Sequence, residues 1–347
     1  MALSRPSRRW QVTVERPVVR PLVSVITPTY NHARFLGRCL ESLLAQTYAH
    51  WDLVIVDDGS TDETGEVVRA YPDPRIRYVR QEHRGVRALA TTINSGLART
   101  TGELVTMLAS DDTWPPHRLE RQIQVFRDPN VVLCFGRGLL IDEQDHVLGE
   151  VRPPAEMDRV SNRPPGTVLH EMFLSNFIPQ YTVLLRRSAL ERIGGYLQPE
   201  GLLGEDYPTH MALALIGEFC YLDIPLGNYR MHAAQMTRNH YLEMSLTDIT
   251  YVLRFFRRLD GEMQARSGWT EETLSAELAK RITNSYCEVG RRALLARDWS
   301  HARRHFVAAL QGAPPRTKAK ALLGLGCSLL HTDMERVARW AGHTPLR

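Results

Sequence analysis

The chain has 347 residues, of which 43% are hydrophobic and 24% are charged, and its formal net charge is +4. This composition is typical of a globular protein with room for one large domain and an additional unit. The small and scattered excess of basic residues argues against a nucleic-acid partner. The five cysteines lie far apart and include no C-x-x-C pair, so neither a zinc site nor a disulfide framework is indicated.

Two further features favour a cytoplasmic protein. The N-terminal segment MALSRPSRRW is basic but is not followed by the apolar core of a signal peptide. No segment approaches the roughly 18 consecutive apolar residues of a membrane span. Peripheral membrane contact and a homodimer are both compatible with these features.

Residues 1–20 lack periodicity and are predicted to form a flexible arm. An alternation of strand and helix patterns follows, with short connections between them. Strands are predicted at 22–28, 51–60, 75–81, 103–110 and 131–136, and helices at 33–46, 61–71, 88–100 and 116–126. This alternation predicts an α/β fold with a mostly parallel sheet flanked by helices.

The pattern changes after residue 150. A strand is predicted at 181–187, helices at 188–196 and 204–217, and two short strand-like pieces at 219–223 and 227–232. From about residue 245 the sequence is helical, and residues 286–315 resemble a single tetratricopeptide helix pair. Because roughly three copies are needed for a solenoid, we expect a helical extension packed on the main domain.

Polar residues follow three of the predicted strands at their carboxyl ends. They are the segment PTYN at 28–31, the pair Asp57 and Asp58, and the pair Asp111 and Asp112. Ligands of open parallel sheets bind at this edge. Neighbouring carboxylates repel each other, and Mg²⁺ or Mn²⁺ would relieve that repulsion. The alternative is that each pair caps a turn or a helix.

Four motifs in order point to a family. They are VSVITPTYN, VIVDDGSTD, ASDD followed by PHRL, and GED before an apolar helix. Their order and spacing resemble family 2 glycosyltransferases of the GT-A fold over roughly residues 20–240. The resemblance implies a UDP-sugar (nucleotide-diphospho-sugar) donor, a divalent metal (Mn²⁺ or Mg²⁺) and inversion at the anomeric carbon.

The resemblance assigns roles around the donor nucleotide. Pro28 and Tyr30 would line the uracil and ribose pocket. Asp58 would accept a hydrogen bond from uracil, while Asp57 would brace the loop.

The resemblance also implies a metal site. Asp112 would ligate the metal, and Asp111 would approach the ribose or the metal shell. Many members carry a further Asp where this chain has Ala109, so the number of protein ligands stays open. His232, in the segment YRMH, stands where many relatives place a His at the metal or diphosphate; a structural role is the alternative.

The chain also differs from the family pattern in a residue expected to contact the diphosphate of the donor. Many members place Arg directly before the Asn of the next helix, whereas here Ile93 precedes Asn94. Arg84 and Arg87 are candidates to supply the missing positive charge. Both would otherwise be solvated side chains.

The GED motif supplies Glu205 and Asp206. An inverting transfer needs one base to take the proton of the acceptor hydroxyl, and the resemblance makes Asp206 that base. Glu205 is expected to orient the acceptor or to pair with a basic neighbour. The alternative is that both acids cap the helix that follows. Trp114 is expected to pack in the core rather than to stack on a sugar.

These inferences divide the chain into an arm (1–20), a GT-A domain (21–240) and a helical extension (241–347). Within the domain, residues 21–136 would bind the nucleotide-sugar, and residues 137–240 would supply the acceptor side and the base. The acceptor could be a glycan, a lipid-linked glycan or a small molecule.

A dinucleotide-dependent oxidoreductase is excluded because no G-x-G-x-x-G follows the first strand. The alternatives left are a nucleotidyltransferase and a non-catalytic scaffold with a degenerate transferase domain.

Overall fold

The computed structural model describes residues 20–153, 162–311 and 315–332. The predicted arm therefore lies outside the described residues except for Arg20. The last part of the predicted extension, beyond residue 332, lies outside them as well.

One mixed sheet forms the centre of the described chain. Parallel pairing joins the first strand to the second and fourth, the second to the third, and the fifth to the eighth. The sixth and seventh strands run antiparallel to their neighbours. The strands are β1 (Val23–Thr29), β2 (Trp51–Asp57), β3 (Ile76–Arg80), β4 (Leu104–Met107), β5 (Val131–Ile141), β6 (Val147–Val151), β7 (Leu184–Arg186) and β8 (Glu218–Arg230).

The order across the sheet is β3-β2-β1-β4-β7-β5-β6, and β8 pairs with β5. The first five predicted strands and the strand at 181–187 are confirmed, and the mostly parallel α/β fold is confirmed with them. Strand β5 runs through residue 136, where we expect the donor half to end.

Two features of the sheet differ from the sequence prediction. The two strand-like pieces after residue 218 are one strand, because register shifts around Arg137 keep β8 paired with β5 past Pro225. Strand β6 was not predicted. It lies at the edge of the sheet with a largely exposed surface, so it lacks the apolar pattern that marks a buried strand.

Helices flank the sheet and make up the C-terminal part. They are α1 (Ala33–Leu44), α2 (Thr64–Arg69), α3 (Leu89–Leu97), α4 (Arg118–Ile123), α5 (Leu169–Leu174), α6 (Arg187–Arg192), α7 (Asp206–Ala214), α8 (Met236–Asn239), α9 (Tyr241–Arg258), α10 (Gly261–Ser267), α11 (Glu271–Leu295), α12 (Trp299–Leu310) and α13 (Pro315–Leu329). The helical extension is thus confirmed over its described residues. None of these helices is long and apolar enough to cross a bilayer.

Both faces of the sheet are buried. Successive side chains of a strand point to opposite faces, and Val25 packs with Leu36 of α1 while Ile26 packs with Ile93 of α3. This double coverage explains why the parallel strands are continuous apolar runs rather than alternating patterns.

The extension packs on the same core at its start. Ile249, Val252 and Phe256 of α9 belong to the cluster that contains Leu133 of β5. Helices α11, α12 and α13 form a separate small core around Phe306. The extension is therefore joined to the sheet through α9 and the first part of α11, which contributes to the same cluster.

Candidate active site

A cavity of about 550 Å³ lies at the carboxyl ends of β1, β2 and β4. Six of the seven predicted site residues line it, although they come from distant parts of the chain: Pro28, Tyr30, Asp58, Asp111, Asp112 and Asp206. The seventh, His232, contacts the cavity wall through Asp111. The polar clusters predicted at one edge of the sheet therefore meet there.

Asp57 and Asp58 hold the loops at the end of β2. Buried Asp57 accepts a hydrogen bond from the backbone N–H of Ser60 (2.8 Å) and another from the Tyr78 hydroxyl. The Asp58 carboxylate accepts from the Gln81 side chain (2.7 Å) and from the backbone N–H of Gly85 (2.9 Å). A uracil N–H at Asp58 would therefore share an oxygen with these donors.

Tyr30 stands at the entrance of the cavity and is 40% exposed. Its ring stacks on His83, with ring centroids 4.1 Å apart. Asn31 follows with φ of 53°, a left-handed conformation that Asn tolerates better than most residues. Its side-chain oxygen accepts from the backbone N–H of Thr61 (2.7 Å), which ties the first loop to the second.

Asp111 lies between two histidines. Its Oδ2 is 3.0 Å from Nε2 of His232, and His32, whose Nδ1 is 2.7 Å from the Ser110 hydroxyl, approaches from the loop after β1. Burial alone would raise the pKa of Asp111. The hydrogen bond from His232 and the charges of His32 and His232 outweigh burial and hold that pKa below its ordinary value.

Asp112 is only 2% exposed and has the opposite electrostatic environment. Burial, followed by the charge of Asp111, raises its pKa well above the ordinary value. Its Oδ1 accepts a hydrogen bond from the backbone N–H of Arg230 (2.9 Å). An ionised Asp112 is thus unfavourable until a cation compensates its charge.

Arg230 connects the acidic turn to the rest of the sheet. Its side chain is fully buried, and its Nε donates to the carbonyl of Asp111 (2.8 Å). Its Nη1 donates to the carbonyl of Asp142 (2.9 Å), at the end of the hairpin that joins β5 to β6. Arg230, at the end of strand β8, therefore holds the turn that contains Asp111 and Asp112.

Asp206 begins helix α7 on the far side of the cavity. Its Oδ2 accepts from the Asn176 side chain (2.9 Å), and its Oδ1 accepts from the backbone N–H of Tyr207 (2.8 Å). Neighbouring Glu205 also lines the cavity but is almost fully buried. Burial and the charge of Asp206 raise the pKa of Glu205 to about 8.

The structure also gives the settings of four further residues for which the sequence left alternatives open. Neither Arg84 nor Arg87 is among the residues that line the cavity, and Arg87 pairs with Glu243 of α9 instead. Trp114 is 3% exposed, with the Arg118 guanidinium 3.7 Å from the centre of its ring, as expected for a packed side chain. Glu205 forms no ion pair with a basic residue in the described ranges.

Comparisons with known proteins assign the family. The family model described as glycosyl transferase family 2 matches residues 24–194. An uncharacterized glycosyltransferase of Nostoc sp. is 30% identical over 225 residues, which cover 65% of this chain and 68% of that protein. The chain belongs to glycosyltransferase family 2.

Solved structures agree with the GT-A fold of this glycosyltransferase. S. aureus TarS 1-349 in complex with UDP-GlcNAc is 17% identical, has a TM-score of 0.57 and covers 93% of each chain. The mannosyltransferase PcManGT from Pyrobaculum calidifontis, in complex with GDP-Man and Mn²⁺, is 22% identical with a TM-score of 0.55 and covers 95% of this chain and 86% of that one. The predicted GT-A fold with a helical extension is confirmed.

The glycosyltransferase site contains residues that fit a divalent cation. One ligand atom each from His32, Asp111 and His232 lies within 4.8 Å of the others. Imidazole nitrogen with carboxylate oxygen suits Mn²⁺, whereas Mg²⁺ prefers oxygen ligands alone. Buried Asp112, whose pKa stays raised by burial and by the charge of Asp111 despite the opposing charges of Arg230 and Arg118, lies beside this group. A cation there would relieve the repulsion between the two carboxylates.

Sequence reasoning missed several residues of this site. His32 follows Asn31 in the loop that was predicted to reach the sheet edge, so its position offered a signal. Tyr181 and Tyr229 line the cavity as a stacked pair with ring centroids 5.2 Å apart. Tyr229 lies in β8, which runs parallel to β5, and Tyr181 lies in the turn before β7; nothing in their local sequence indicates that contact.

Proposed function

We propose that this glycosyltransferase transfers a sugar from a UDP-sugar to an acceptor hydroxyl with inversion, and that it depends on Mn²⁺ or Mg²⁺. The observation that carries the proposal is the convergence of Asp58, Asp111, Asp112 and Asp206 on one cavity. The UDP-GlcNAc of TarS and the GDP-Man and Mn²⁺ of the Pyrobaculum mannosyltransferase support it by similarity of fold. No comparable observation favours a nucleotidyltransferase or a scaffold.

The nucleotide would bind along the ends of β1 and β2. Tyr30 offers an aromatic face for the base, beside Pro28 and His83. Asp58 holds the loop that contains Gly85, so it shapes this pocket in addition to any contact with uracil. Residues 21–136 would thus bind the donor, and residues 137–240 would supply the base.

Asp111, Asp112 and His232, with His32, would hold the metal. The bound cation would neutralise the diphosphate as negative charge develops on it. The contribution of the protein is to keep these side chains in place before the donor arrives. Arg230 does so for Asp112 through its backbone N–H, and Ser110 does so for His32.

The transfer itself would be a single displacement. A bond forms between the acceptor oxygen and the anomeric carbon, while the bond from that carbon to the phosphate oxygen breaks. Its electron pair leaves with UDP. The acceptor proton passes to the carboxylate of Asp206, which Asn176 and the Tyr207 N–H orient toward the cavity.

A screen of UDP-sugars for metal-dependent release of UDP tests this function. We expect one UDP-sugar to be hydrolysed slowly with Mn²⁺, and the reaction to stop when a chelator removes the metal. GDP-mannose serves as the comparison donor. Release from GDP-mannose alone, or release that survives chelation, would contradict the proposed donor or the proposed metal dependence, respectively.

A further inference from the structure

A second cavity, of about 720 Å³, lies between α9, α11 and α13 of the helical extension. Thr237 and Met244 line both this cavity and the candidate active site, so the two spaces adjoin. The second cavity begins on the side of the active site that contains Asp206. Nothing in the established family assignment gives this space a role.

Neutral polar groups make up part of the wall. The hydroxyl groups of Ser245 and Ser285 are hydrogen-bonded to each other across the interface of α9 and α11. Asn284 is exposed on α11, and the ring of Tyr241 lies under the guanidinium of Arg292, at 4.4 Å. Such hydroxyl, amide and aromatic groups are suited to the hydroxyl groups and faces of sugar rings.

The charged groups of the wall leave an excess of positive charge. Glu288 is compensated by Arg292, whose Nε lies 3.0 Å from its carboxylate, and by Arg291. Within the described ranges, neither Arg281 nor Lys320 forms an ion pair, and Nη1 of Arg281 donates to the main-chain carbonyl of Phe173 (3.0 Å). The remaining acid is Asp248, whose pKa burial and the charge of Asp206 raise to about 7, so its carboxyl group is partly neutral near that pH.

We propose that this second cavity is the acceptor subsite and that it binds a carbohydrate chain carrying anionic groups. The inference rests on the proposed function, in which the donor fills the first cavity between Tyr30 and Asp111. An acceptor hydroxyl at Asp206 then has to come from the other side, past Thr237 and Met244. The rest of that acceptor extends along α9 and α11, where Arg281 and Lys320 attract its negative charge.

Binding of a charged trisaccharide tests this inference. The full chain, saturated with UDP and Mn²⁺, is titrated with trigalacturonate and with its fully methyl-esterified form, which has the same rings without the charges. We expect trigalacturonate to bind at millimolar concentration or below, and the ester to bind at least about tenfold more weakly, which corresponds to about 1.4 kcal/mol. Binding of trigalacturonate should weaken as salt is added.

A pair of variants on one helix locates the site. Lys320→Glu reverses a charge on the cavity wall and should weaken trigalacturonate binding by about tenfold or more. Lys318→Glu makes the same change two positions away, on an exposed side chain that is not among the residues lining the cavity, and should leave the affinity nearly unchanged. Both variants should bind UDP and Mn²⁺ as the parent protein does.

The outcomes separate the two proposals. Absence of trigalacturonate binding at millimolar concentration would overturn the inference, as would equal affinity for acid and ester, or equal affinity in the parent and Lys320→Glu. Such a result, obtained while UDP and Mn²⁺ still bind, leaves the proposed function standing. Failure of UDP to bind with Mn²⁺ would count against the proposed function instead.

Discussion

The Asp111 carboxylate lies 3.0 Å from Nε2 of His232, although 121 positions separate the two residues in the sequence. This contact joins the turn after β4 to the end of β8, and it brings the second acidic motif beside the segment YRMH. His32 completes the group from the loop after β1. The proposed metal site is thus formed by three chain segments that meet at one edge of the sheet.

Asp112→Asn should weaken metal binding while stabilising the metal-free protein. The substitution removes a buried charge that burial and Asp111 disfavour, and the side-chain oxygen can still accept from the Arg230 N–H. We expect a gain of roughly 1 kcal/mol in unfolding free energy without metal. Calorimetry with Mn²⁺ and UDP measures binding, and thermal unfolding measures stability. Asp73→Asn, which breaks a partly buried ion pair with Arg75 outside the cavity wall, is the control and should leave Mn²⁺ affinity unchanged.

Asp206→Asn should separate chemistry from donor binding. The amide keeps the size of the side chain but cannot take a proton, so transfer should slow by about 10²-fold or more. Donor affinity should stay close to that of the parent, because Asp206 lies on the side of the cavity that faces the acceptor. The measurement is UDP release beside calorimetric titration with the donor. Parent-like transfer by Asp206→Asn would assign the base to another residue.

Glu205→Gln should flatten the dependence of stability on pH. The pKa of Glu205 is raised in the folded state to about 8, from an ordinary value of 4.5. Its contribution to stability is therefore fully present below pH 4.5 and is lost as the pH rises toward 8. Because Glu205 is buried, the parent protein should lose on the order of 2 kcal/mol more than the Gln variant across that range. Urea unfolding at a series of pH values measures the difference; parallel curves would contradict it.

Two glycines of α13 should respond to alanine in opposite directions. A Cβ at Gly324 would collide with the ring of Phe306, which also packs against Gly290 of α11, whereas a Cβ at Gly326 meets nothing within 4 Å. Gly324→Ala should therefore destabilise the extension by about 1–3 kcal/mol through overpacking. Gly326→Ala should stabilise it by about 0.5–1 kcal/mol because alanine favours helix. Chemical unfolding followed by circular dichroism compares the two; destabilisation of similar size in both would refute the packing argument.

The sequence was sufficient to predict the first half of the sheet. Parallel strands covered on both faces are largely apolar, so β1, β2 and β4 stand out as nearly continuous apolar runs, and the polar residues after them mark the sheet edge. The convergence of Asp58, Asp112 and Asp206 on one cavity agrees with that expectation. Their chemical roles remain predictions.

The parts that escaped prediction depend on long-range packing. Strand β8 follows β5 past three register shifts, and Tyr229 near its end stacks on Tyr181 from another part of the chain. The second cavity arises because α9, α11 and α13 leave a space between them. Helical periodicity shows which residues face inward, but it does not give the distances between helices.

The hydrogen bonds of Arg230 place a constraint on how this chain can evolve. Its guanidinium binds the main-chain carbonyls of Asp111 and Asp142, one in the acidic turn and the other at the surface hairpin after β5. Any residue type supplies such a carbonyl, but Nη2 of Arg230 also pairs with the carboxylate of Asp145 in the same hairpin (2.6 Å), so substitution of Asp145 would remove that contact. An insertion or deletion would move the carbonyl of Asp142 away and leave the buried guanidinium of Arg230 without that hydrogen-bond acceptor. Selection should therefore preserve the length of this hairpin and the carboxylate of Asp145 more strictly than its other side chains.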